Sequence, residues 1–162
     1  MKISANSLKW LMRLYPPMLF QRIWVKKIEK DFTGITVKIN RSLITSNLGN
    51  STFGGTLFSA TDPFYALLFG QIMLRKGIKI TVWLKSAEIQ YLKPGRSDLF
   101  FSLVITTEMI LEAEQALLNE GRFIKEYPIE IYDKQGALCV TASNEVYIRN
   151  LNYFNKTQGT SS

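Results

Sequence analysis

At 162 residues, with 46% hydrophobic and 20% charged side chains, the chain has the size and balance of one globular domain, which buries about 68–70% of its unfolded surface. A single cysteine and no histidine exclude an internal disulfide, the usual nitrogen–sulfur zinc sites, and every Ser-His-Asp or Cys-His catalytic arrangement. The net charge of +7 lies wholly within the first 41 residues, where nine Lys/Arg face only Glu29 and Asp31; the neutral remainder, with no zinc-finger, RNP-like or helix-turn-helix pattern, excludes the familiar nucleic-acid readers.

The chain opens with a positive charge followed by apolar residues, as a signal peptide does. Arg13 interrupts that run, Pro16-Pro17 breaks it, and no small-residue cleavage site follows, so a cytoplasmic protein is expected. Residues 7–14 and 17–30 read as two helices, because Leu8, Leu11 and Met12, then Phe20, Ile23, Trp24 and Ile28, recur at helical spacing with Lys and Arg between them. Proline suits the first turn of the second helix. These helices form an N-terminal extension, residues 1–30, that either packs on its own domain or lies on a membrane surface.

Alternation of Ile35, Val37 and Ile39 with polar neighbours predicts a strand over 34–43, followed by the polar loop TSNLGNST. Residues 55–75 are apolar nearly all round, as in a helix surrounded by other structure, with a kink at Pro63 and Asp62 placed to cap the second half. The same stretch is long enough to raise a transmembrane question. Asp62 stands in its middle, where a carboxylate costs about 2.5–3.5 kcal/mol in a bilayer, so a buried core helix is expected.

In residues 79–92 the apolar phase runs on Ile80, Val82 and Leu84, then shifts to Ala87, Ile89 and Tyr91. Such a flip near Lys85-Ser86 predicts a β-bulge, since one extra residue exchanges the faces. Lys93-Pro94-Gly95-Arg96 turns the chain into a strand at 98–107. A helix over 108–120 should end at Gly121, and strands at 126–133 and 137–149 flank a hairpin turn at Asp133-Lys134-Gln135-Gly136. Residues 151–162 read as a loose polar tail. With no internal repeat or linker, this order suits a single antiparallel sheet wrapped on a buried helix.

Asn47 in the loop, Gly54-Gly55 opening the buried helix, and Asp62 eight residues after Gly54 resemble the phenylacetyl-CoA-type branch of the hotdog-fold thioesterases, whose signature is an asparagine, then His-Gly-Gly, then a helical aspartate. The segments FGGTLFSATDPFYALL, SAEIQYLKPG, IYDKQG and NEVYIR are more similar still to an uncharacterised bacterial branch of that superfamily, and the resemblance covers residues 15–149. It implies an α+β hotdog domain over residues 31–150, a curled antiparallel sheet around a long central helix. It also implies a homodimer or homotetramer with the site between two subunits, Gly54 from one and Asp62 from the other. Phe53 stands where the better-known branch has histidine; that side chain's role is lost here, whereas the backbone donors survive. Hotdog hydratases use a histidine with a carboxylate, a pair this chain cannot supply.

The implied activity is hydrolysis of an acyl-CoA or acyl-carrier thioester, with no cofactor beyond the coenzyme A of the substrate and no metal. Unsatisfied amides at a helix start carry partial positive charge, so Gly54 or Gly55 N–H can hold the thioester oxygen. Asp62 then activates water or attacks the carbonyl itself; equally, an aspartate before a proline is explained by capping alone. Thr56, Ser59 and Thr61 are hydroxyls near enough to orient water. Lys85, Lys93 and Arg96 are candidates for the phosphates, and Asn47 and Thr56 complete the expected substrate-binding set. Phe58, Phe64, Tyr65 and Phe69 suit core or acyl tunnel, Cys139 is inert filling, and Glu88 is placed to pair with Lys85 or Lys93. The rival function is a non-catalytic acyl- or lipid-binding, membrane-associated hotdog module, favoured by Phe53 and the basic N-terminal segment.

Overall fold

The central helix forms in two halves, α3 (Gly54–Thr61) and α4 (Pro63–Arg75), joined through Asp62 in helical conformation at φ −60°, ψ −59°. Pro63 has no N–H to give the preceding turn, and the helix breaks there as the sequence predicts. The computed structural model describes residues 2–153. Six antiparallel strands form one sheet in the order β1 (Ile23–Ile28), β2 (Gly34–Ile39), β4 (Leu99–Val104), β5 (Arg122–Asp133), β6 (Leu138–Asn150) and β3 (Ile80–Tyr91). The sheet curls around the long helix. Although α3–α4 is long and apolar enough to cross a membrane, Phe64, Leu68, Phe69 and Met73 are fully buried. Their rings interlock with the sheet: Phe64 lies 5.8 Å from Phe101, Phe69 5.5 Å from Tyr127, and Tyr65 stacks on Tyr127 at 4.8 Å. This is a core helix.

Local signals act where they were read. The register of β3 on β6 shifts between Leu84 and Ser86, which is the bulge expected from the change of phase. Helix α5 (Thr107–Asn119) is opened by Thr106, whose hydroxyl accepts from Met109 N–H, and closes before Gly121 at φ +75°. Gly136 at φ +83° makes the β5–β6 hairpin turn, and Asp133 Oδ1 accepts the amides of Gln135 and Ala137.

The N-terminal region differs from expectation. Helix α1 (Ala5–Leu14) is present, but α2 (Pro16–Phe20) lasts only five residues. Arg22 adopts a left-handed conformation at φ 60°, and the chain then runs as strand β1, so the helix expected over 17–30 is corrected to a short helix and an edge strand. The sheet thus begins inside the segment read as a helical extension. A bulge between Val25 and Lys27 keeps Ile23, Val25 and Ile28 all inward, and this irregular spacing imitates a helix. Strands β2 and β4 stop short of residues 43 and 107, and β5 starts at Arg122, earlier than residue 126. The loose tail expected from residue 151 begins instead with a helical turn at 151–153, where Tyr153 Oη donates to Asn119 O; residues 154–162 lie outside the described residues.

Candidate functional site

The loop before α3 is closed by its own backbone. Phe53 N–H donates to Thr45 O at 2.7 Å, Ser46 bridges Thr52, and both Thr52 N–H and its hydroxyl donate to Gly95 O. The last contact ties the helix entry to the Lys93–Arg96 turn. Asn47, exposed, spends its Oδ1 on Ser51 N–H at 3.1 Å and Ser51 Oγ at 3.2 Å, so its carbonyl braces the loop.

Phe53 occupies the N-cap position of α3 and has no side-chain atom that can accept a hydrogen bond. The Gly54 and Gly55 N–H groups consequently have no acceptor among the described residues. Two aromatic rings frame them. Tyr91 Oη donates to Gly54 O at 3.0 Å, and a Cβ on Gly54 would meet the Tyr91 ring at 3.2 Å. A Cβ on Gly55 would stand 2.5 Å from the ring of Phe53, itself 57% exposed. Both glycines therefore leave room that any side chain would fill.

Asp62 sits at the break, exposed, and its carboxylate makes no cap hydrogen bond to α4. The capping expected from the Asp-Pro pair is thereby corrected. A capping residue needs extended backbone to fold its side chain back over the following amides, and Asp62 is helical. Partial desolvation holds its carboxyl above the ordinary aspartate range, with no donor or cation opposing it. The hydroxyls divide: Thr61 donates to Phe58 O at 2.8 Å, Thr56 is buried, and Ser59 is half-buried.

One residue at this break escaped the sequence reading. Asn144 on β6 is fully buried, and its Nδ2 donates to Thr61 O at 2.8 Å, fastening the residue before Asp62 to the sheet. Its Oδ1 has no hydrogen-bond partner among the described residues. The signal was available: along β6, Val140, Ala142, Asn144, Val146, Ile148 and Asn150 fall on one alternating phase, and all are buried.

The basic candidates separate as well. Lys85 pairs with Glu145 at 2.9 Å, so it is engaged along the β3–β6 ladder. Glu88 accepts from Gln90 and pairs with neither Lys85 nor Lys93, contrary to expectation. Lys93 and Arg96 do come together, lining a groove of about 540 Å³ with Pro94, Ser97, Asp133 and Gln135. Lys93 Nζ is 3.2 Å from Asp133, whose carboxyl is held below its usual range chiefly by the Ala137 amide; Arg96 has no acidic partner among the described residues. Cys139 is buried and its thiol is pushed up by burial. Among the described residues no cluster of three or more His, Cys, Asp or Glu is placed to hold a metal.

A family described as a domain of unknown function, DUF4442, matches residues 5–148. No curated protein matches the chain in sequence. Among solved structures, a Pseudomonas aeruginosa protein of unknown function is similar at TM-score 0.77, with 14% identity over 93% of this chain and 98% of that one. A Haemophilus influenzae thioesterase is similar at TM-score 0.69, with 17% identity over 93% and 94% of the two chains. The Escherichia coli PaaI protein of the phenylacetic acid degradation operon is similar at TM-score 0.58, with 15% identity over 91% and 96%. With the curled sheet and its central helix, these likenesses establish the hotdog fold.

Proposed function

Because the chain belongs to the DUF4442 family and carries the hotdog fold, we propose that it is a thioesterase that hydrolyses an acyl-CoA thioester at a site shared by two copies of itself. The observation that carries this reading is a carboxylate at a helix break that neither caps nor pairs, while its carboxyl is held above the ordinary range. A carboxylate without a capping role, raised by partial desolvation beside an apolar helix, suits a general base.

Gly54 and Gly55 supply the complementary half. Their unpaired amides at the positive end of α3 are donors for the negative charge that develops on a thioester oxygen, and the absent side chains admit the acyl carbonyl to the backbone. Asp62 takes a proton from water; the hydroxide oxygen attacks the carbonyl carbon, the oxyanion collapses, and the carbon–sulfur bond breaks. The proton on Asp62 passes to the departing thiolate, so acid and free thiol leave together. Attack by the carboxylate itself, through an anhydride, remains the kinetic alternative that single-turnover experiments separate.

Within one protomer these halves are too far apart. Eight residues of helix place Gly54 and Asp62 about 12 Å apart along the axis at 1.5 Å per residue, whereas water on the base must lie within about 3 Å of the held carbonyl. A second copy, presenting its own Asp62 to Gly54, resolves the gap. Strand β3 lies at a sheet edge with unpaired backbone groups and carries the exposed Trp83, and Phe53 and Phe58 at the start of the central helix are exposed as well. Lys93 and Arg96 in their groove then serve the coenzyme A phosphates.

A panel of short, medium, long and aromatic acyl-CoA esters, followed by free-thiol release, tests the proposal. Turnover well above spontaneous hydrolysis on at least one class is expected. Stoichiometric binding without thiol release would overturn it in favour of a non-catalytic acyl-binding module, the outcome that the Phe53 ring over Gly55 would explain.

A further inference from the structure

Helices α1 and α2 and the start of β1 hold none of the residues assigned to thioester hydrolysis above. Helix α1 buries Leu8 and Met12 and packs on β1, yet Trp10, Leu11 and Leu14 on the same helix are exposed. Tyr15, just before the Pro16-Pro17 corner, and Phe20 beyond it are exposed too, with Leu14 at 64% and Phe20 at 72%. Large apolar side chains so exposed and so close in the chain are uncommon on a surface meant for water alone. The helix carrying them is firmly held: the Arg13 guanidinium lies between the rings of Trp10 and Trp24, at 4.6 and 4.4 Å, and its Nε donates to Val25 O.

Beside this ridge runs a groove of about 400 Å³ lined by Leu19, Arg22, Ile23, Trp24, Lys26, Lys38, Asn40 and Arg41. Lys38 is paired with Asp98 at 2.8 Å, and Arg41 donates to Asn50. Arg22 and Lys26 have no acidic partner among the described residues, and the whole net positive charge of the chain lies in this segment. Arg22 is presented by a left-handed backbone conformation at φ 60°, and Asn40 fixes that turn by donating twice to Arg22 O.

We infer that the α1–α2 end binds the surface of an anionic phospholipid bilayer, with Leu14 and Phe20 entering the headgroup–acyl boundary and Arg22 and Lys26 meeting lipid phosphates. Charge selects the partner. An apolar ridge alone would suit another protein, but a ridge edged by unpaired cations matches a surface that is apolar within and negative at its rim. Amphipathic insertion and electrostatic attraction then act together, and the second is screened by salt.

Flotation of the full chain tests this, using phosphatidylcholine vesicles and vesicles with about one-third phosphatidylglycerol, at low and high salt. Binding is expected only with phosphatidylglycerol, and it should fall several-fold as salt rises. Leu14→Ser with Phe20→Ser, and separately Arg22→Asn with Lys26→Gln, should each lower the bound fraction several-fold while the thermal midpoint stays at the parental value. Asparagine suits the left-handed backbone at position 22. Failure to float, equal binding to neutral vesicles, or unchanged binding of both variants would overturn the inference. So would loss of a dimer on Leu14→Ser with Phe20→Ser in sedimentation velocity without lipid, which would make the ridge a contact between copies.

Discussion

The side-chain amide of Asn144 donates to the carbonyl of Thr61 at 2.8 Å, and both residues are buried. A strand thereby holds a helix at the point where the helix breaks, one residue before its free carboxylate. Asn144→Ala should cost about 1–3 kcal/mol, since it leaves the Thr61 carbonyl buried without a donor. Urea unfolding measures that cost; an unchanged midpoint would mean the contact contributes nothing.

Asp62 should behave unlike a cap. With no cap hydrogen bond to lose, neither Asp62→Asn nor Asp62→Ala should show the loss of about 0.5–2 kcal/mol that removal of a working cap brings. Desolvation raises its folded-state pKa, so its contribution to stability is full below the unfolded value and is lost as pH rises through the folded one. Asp62→Asn should therefore gain on the parent as pH rises from about 3 to about 7. Denaturant midpoints across that range measure it; a parent that gains instead would identify a stabilising carboxylate.

The free space at Gly54 is a requirement of chemistry more than of folding. In Gly54→Ala the new Cβ meets the Tyr91 ring at 3.2 Å, a contact that a small movement of an exposed side chain relieves. Stability should change by less than about 1 kcal/mol, alanine being the better helix former, while thioester turnover falls at least tenfold because the carbonyl no longer reaches the amides. Thermal melts paired with steady-state kinetics separate these effects. Equal turnover in the two proteins would remove Gly54 from the oxyanion site.

Gly121 gives the opposite pattern. Its φ of +75° disfavours any side chain, and a Cβ there would strike the Tyr153 ring. Gly121→Ala should lose at least about 1–2 kcal/mol and leave chemistry intact in the folded fraction. Chemical denaturation with activity measured well below the midpoint checks both halves.

Features set by a few neighbouring residues are legible in the sequence. The break at Pro63, the bulge at Lys85-Ser86, the stop at Gly121 and the turn at Asp133–Gly136 each depend on local backbone preference or on a change of alternation. Strand β1 was not legible. Phe20, Ile23, Trp24 and Ile28 fit helical spacing, and only pairing with β2, a bulge and the left-handed Arg22 make the segment extended. In the candidate site, the Gly54–Gly55 start and Asp62 stood out in sequence. The Asn144 contact did not, because an asparagine in a strand gives no sign of the carbonyl it will meet across the fold. Lys93 and Arg96 were legible as a cationic turn, while Asp133 as the partner of Lys93 follows from the hairpin closing beside it.

The most direct test is single-turnover thiol release by the parent and Asp62→Asn, on whichever acyl-CoA the parent hydrolyses fastest. Asparagine keeps the shape of the helix break but cannot take a proton from water, so the rate should fall about 10²–10⁴-fold in a protein of parental stability and assembly. Hydrolysis by Asp62→Asn at the parental rate would contradict Asp62 as the base.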